Sequence, residues 1–87
     1  MTSSQIKTVP TTLRDIMRDE DFEQGVIDVR SGLGYPPDFD ALTTQRQWRY
    51  ERGRQWGVAA GPDVYLLDGR GEPTAEAMVI YQRAGIL

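Results

Sequence analysis

The segment Tyr35-Pro36-Pro37-Asp38-Phe39-Asp40 constrains this chain more than any other. Proline has no backbone N–H and its ring collides with the preceding turn, so two in succession exclude a helix interior. Residues 33–42 therefore read as a loop between two helical patterns. Upstream, Thr12-Leu13-Arg14-Asp15 has the capping-box spacing, with an acid in place of the usual Glu, ahead of apolar Leu13, Ile16 and Met17. Phe22, Val26, Val29 and Leu33 then follow at helical spacing. The pattern predicts one helix over 12–31, broken or recapped near Asp19-Glu20-Asp21 and ending at Gly32 or Gly34. Downstream, Thr43 or Thr44 caps a helix over 44–60 that Gly61-Pro62 stops. The two are expected to fold as an antiparallel helical hairpin.

The remainder predicts an extension of that hairpin. Val64-Tyr65-Leu66-Leu67 is a short apolar run between Pro62-Asp63 and Asp68-Gly69-Arg70-Gly71, and reads as a strand. Pro73 suits a first helical position, and Ala75, Met78, Val79 and Gln82 carry the spacing of a helix over 74–84 with Gly85 as its cap. Residues 1–11 read as a flexible arm, or as an edge strand over Gln5–Val9, and residues 12–87 as a single small domain. The expected class is α+β, mostly α. One short strand is not stable alone, so it needs residues 5–9 or a second copy across a two-fold axis. A homodimer is therefore an expectation.

Glycine inside a helix costs about 1 kcal/mol relative to alanine, so its presence there points to close approach by a neighbour. Gly53 and Gly57 are one turn apart, and Gly25 lies in the preceding helix. These three are the predicted packing positions, with the Trp and Tyr of one helix lying over the glycines of the other.

Charge is unevenly spread. Residues 12–44 carry three Arg against eight Asp or Glu, residues 45–60 four Arg against one Glu, and residues 61–87 two Arg against four acids. An acidic first helix and a basic second one suit a complementary pair. The net charge of −3 opposes non-specific nucleic-acid affinity, which grows with the number of phosphates neutralised. The chain has no Cys and no His, which removes disulfides, thiolates and the usual metal and general-base side chain. Ser3, Ser4 and Ser31 thus lack a base, Asp38-x-Asp40 lacks the other ligands of a calcium loop, and Gly69-x-Gly71 reads as a tight turn. The expectation is a non-catalytic protein without cofactor or metal. No signal-peptide pattern and no apolar run of about 18 residues is present, so a cytoplasmic protein without a membrane segment is expected.

The candidate site is Arg46-Gln47-Trp48-Arg49-Tyr50-Glu51-Arg52-Gly53-Arg54, where guanidinium groups interleave with rings. Arg, Trp and Tyr dominate the energetics of protein interfaces, which makes Arg46, Trp48, Arg49, Tyr50 and Arg52 the predicted partner contacts. The same arginines can grip phosphates while rings stack on bases. Asp28 and Arg54 form the predicted structural pair, a bridge that fixes helix register.

Phe22-x-x-Gly25-x-x-Asp28-x-Arg30-x-Gly32 with Trp48-x-Tyr50-Glu51-Arg52-Gly53-Arg54 resembles a pattern in small uncharacterised phage and proteobacterial proteins. It also distantly resembles ribosome modulation factor, a two-helix family that binds ribosomal RNA. Phe22, Gly25 and Arg30, the loop Tyr35-Pro36-Pro37, and Trp48, Gly53 and Arg54 carry that likeness, within residues 22–57. The family is strongly basic whereas this chain is acidic, Asp28 replaces a glycine, the Trp48–Gly53 spacing differs, and residues 61–87 have no counterpart. The resemblance implies a two-helix fold, with ribosome or RNA binding as a second functional expectation. The first expectation is a bacterial or phage accessory protein that binds a protein. A third is that Asp19–Glu23, Asp38 and Asp40 mimic a nucleic-acid backbone.

Overall fold

The computed structural model describes residues 12–86, so the expected arm or edge strand over residues 1–11 lies outside the described residues. Helix α1 (Leu13–Arg18) starts at Thr12, whose hydroxyl accepts from the Asp15 amide. Asp19 then ends one helix and begins another. Its backbone N–H bonds the Ile16 carbonyl, and its carboxylate accepts from the amides of Asp21 and Phe22 at the start of α2 (Glu20–Arg30). A short polar side chain that satisfies the orphan amides of the next turn makes this break. Gly32 follows α2 in a left-handed conformation at φ 73°, which a Cβ would disfavour.

The proline segment leads into a 3₁₀ turn (Phe39–Ala41), and Thr43 caps α3 (Thr44–Ala60) through the Arg46 amide. Thr74 caps α4 (Ala75–Arg83). Pro73 therefore precedes the cap instead of occupying the first helical position.

The expected strand over 64–67 does not form. Leu67 makes one isolated antiparallel bridge with Pro73, flanked by bonds from Asp68 N to Glu72 O (2.7 Å) and from Thr74 N to Leu66 O (3.1 Å). The described residues are mostly helical and contain no strand. The turn closes because Asp68 accepts from the amides of Arg70 and Glu72, folding the apolar run back on its own chain. With that segment closed locally, the need for a strand from a second copy disappears.

The core joins all four helices. Met17, Phe22, Val26, Trp56, Leu66, Ala77, Tyr81 and Ile86 are buried together. The Phe22 ring lies 6.5 Å from Trp56 and 6.1 Å from Tyr81, and the indole N–H of Trp56 donates to the Ala77 carbonyl at 3.0 Å. Each large side chain so buried contributes about 1.5–3 kcal/mol. No helix among the described residues is long and apolar enough to cross a membrane.

Helices α2 and α3 pack backbone to backbone. A Cβ on Gly25 would lie 2.2 Å from the Tyr50 carbonyl oxygen, and one on Gly53 would lie 2.0 Å from the Phe22 carbonyl oxygen. Gly57 accommodates the Val29 side chain. Backbone at Gly25 and Gly53 and the Val29 side chain at Gly57, not the expected Trp and Tyr rings, thus lie over the glycines. The pair crosses at these residues instead of aligning side by side in antiparallel fashion. The start of α2 meets the start of α3 through Asp21–Arg46 and Asp19–Arg49, while Arg30 at the end of α2 reaches Gly61 just beyond α3. The connection over 31–43 is long enough to permit this return.

Candidate functional site

The arginines of α3 are largely spent within the fold. Arg46 meets Asp21 through both Nε and a terminal nitrogen, at 3.1–3.3 Å. That carboxylate raises the guanidinium pKa further, through its hydrogen bond and then its charge. Arg49 meets Asp19 at 3.4 Å, tying the capping residue of α2 to α3. Both pairs follow from an acidic start to α2 facing a basic start to α3. Arg52 instead lies over the half-buried Trp48 ring at 4.6 Å and has no carboxylate partner among the described residues.

Tyr50 departs from its expected role as a partner contact. It is 2% exposed, and its hydroxyl donates to Asp28 at 2.6 Å while accepting from Arg54 at 3.1 Å. Burial raises its pKa, the bond to Asp28 adds to this, and Arg54 opposes it. The expected Asp28–Arg54 pair is accordingly not direct, because the Tyr50 hydroxyl stands between the two charges. Asp28 also accepts from the Gln24 side-chain amide at 2.8 Å. Arg54 stacks over Tyr35 at 4.7 Å. Trp56, beside the same arginine run, is a core residue covered by Arg30 at 5.2 Å, and Arg30 donates to the carbonyls of Gly61 (2.9 Å) and Val64 (2.6 Å).

The loop makes a surface that helical periodicity does not reveal. Tyr35, Phe39 and Tyr50 form a ring cluster with centroids 4.9–5.6 Å apart. Gln47 holds the 3₁₀ turn through the Phe39 carbonyl at 3.1 Å. Beside the cluster runs a groove of about 410 Å³, lined by Leu33, Gly34, Tyr35, Pro36 and Pro37 from the loop and by Gln24 and Asp28 from α2. Leu33 is 55% and Tyr35 52% exposed, and Leu33 lies beyond the end of α2 instead of completing its buried stripe. Apolar residues interspersed with prolines in the loop were the available signal; their convergence on Asp28 was not legible. No family model, curated protein or solved structure matches this chain.

Proposed function

We propose that this is a non-catalytic bacterial or phage accessory protein that binds a protein partner through the loop face. The observation carrying this reading is the groove beside α2, with Leu33 and Tyr35 exposed at its edge. An apolar concavity with a few polar groups suits a side chain from another molecule. Trp48 with Arg52 over its ring provides a second contact surface of the type enriched at protein interfaces.

The internal use of Arg46 and Arg49 weighs against ribosome or RNA binding. Each is paired with an acid at the start of α2, the capping Asp19 or Asp21, in a chain of net charge −3, which leaves few cations to displace counterions from a phosphate backbone.

The test is affinity capture from bacterial lysate with and without ribonuclease, repeated at high salt and with Leu33→Asp. The expected outcome is a discrete protein retained under both treatments and lost with Leu33→Asp. Recovery of ribosomal components that disappears on ribonuclease treatment refutes this reading in favour of the RNA one.

A further inference from the structure

Asp28 is the buried charged residue of the described core, at 7% exposure, and it lines the groove. Its carboxylate accepts one hydrogen bond on each oxygen, both from neutral donors: Gln24 at 2.8 Å and the Tyr50 hydroxyl at 2.6 Å. A carboxylate has about four acceptor sites, so lone pairs remain on both oxygens. Among the described residues no arginine ion-pairs with it. Arg54, the nearest candidate, is held by the Tyr50 hydroxyl and by stacking on Tyr35. A largely desolvated anion with neutral partners, in a groove walled by Leu33, Tyr35, Pro36 and Pro37, is a specific electrostatic demand.

From this geometry we infer that the groove receives an arginine side chain of the protein partner. This deepens the protein-binding reading above and rests on it. A guanidinium matches two carboxylate oxygens with its planar fork, whereas an ammonium is a compact point charge. It is also more weakly hydrated, so entering an apolar groove costs it less. The arginine stem lies along the prolines and Leu33 while its head reaches Asp28.

The probe is N-acetyl-arginine amide, titrated into the full ¹⁵N-labelled chain and compared with the isosteric, uncharged citrulline analogue. The arginine probe is expected to shift the Gln24 side-chain amide and the backbone amides of Leu33, Gly34 and Tyr35. It should do so with an affinity at least about tenfold above that of citrulline. Asp28→Asn should remove that preference. Gly34→Leu should weaken binding without touching the bonds of Asp28, since the space around a Cβ at Gly34 is open and its φ is not left-handed. Equal binding of both probes, or no response at the groove amides, overturns the inference. A partner that Leu33→Asp loses but Asp28→Asn retains at full affinity also overturns it, while leaving the protein-binding reading intact. Arginine preference in the groove without any captured protein partner upholds the guanidinium site and removes the broader reading.

Discussion

Replacing Gly53 with alanine tests the crossing on which the fold depends. In an isolated helix the change is favourable, by about 1 kcal/mol, because alanine loses less backbone entropy. In this fold the new Cβ would lie 2.0 Å from the Phe22 carbonyl oxygen, 2.8 Å from its carbon and 3.0 Å from its Cα, where ordinary contact begins near 3.4 Å. These are backbone atoms of a helix, so no rotamer change relieves the clash. Helices α2 and α3 must part by more than an ångström, which loosens Phe22, Val26, Tyr50 and Trp56 together. Overpacking and the lost close contacts set that cost at about 3–5 kcal/mol. After the propensity gain, the net loss is about 2–4 kcal/mol, or roughly 10–25 °C in melting temperature for a domain of this size. Thermal melting followed by circular dichroism at a helical wavelength measures it. Gly69→Ala is the control, because a Cβ there meets nothing within 4 Å and φ is not left-handed. If Gly53→Ala melts at or above the parent temperature, the backbone-on-backbone crossing is wrong.

Two further outcomes follow from side chains that hold loops and rings. Arg30→Ala removes the bonds to the Gly61 and Val64 carbonyls and the cover over Trp56, and should cost about 2 kcal/mol as a lower urea midpoint; an unchanged midpoint removes Arg30 as the staple of this segment. Alkaline titration reads the buried phenols. Burial raises the pKa of both Tyr50 and Tyr81 above the ordinary 10.0, so each contributes stability that is fully present below that value and lost as pH rises through the folded-state pKa. Tyrosinate absorbance should show Tyr50 and Tyr81 ionising above the ordinary 10.0, with helical signal falling as they titrate. Ionisation of Tyr50 and Tyr81 at the ordinary value in a still-folded protein would contradict the burial.

Much of the helical layout was legible because helix ends are local chemistry. Thr12, Thr43 and Thr74 each cap through an amide three residues on, and Gly61 ends α3 with its left-handed φ. The split at Asp19 belongs to the same class, since its carboxylate serves amides only two and three positions away. The segment 64–67 misled because apolar β-prone residues satisfy a strand pattern whether or not a neighbouring strand exists. A backbone ladder needs a partner, and Asp68 closed the turn on a single bridge instead.

The candidate site was harder to read for a specific reason. Helix α3 carries polar residues around its whole circumference, so no apolar stripe identifies its buried side. Glycines mark that side: Gly53 and Gly57 are buried with Tyr50 and Trp56. Once α2 lies there, Tyr50 turns inward to Asp28, and Arg46 and Arg49 face the acids that open α2.

Local sequence encodes where helices start and stop, that Pro36-Pro37 separates two of them, and that opposite charges lie on successive helices. Tertiary structure alone decided which arginines are neutralised, that Tyr50 separates Asp28 from Arg54, and that loop apolar residues meet Asp28 in one groove. The first set depends on groups within about one helical turn of each other. The second depends on how α2 and α3 cross, a relation between residues some 30 positions apart that no local pattern encodes.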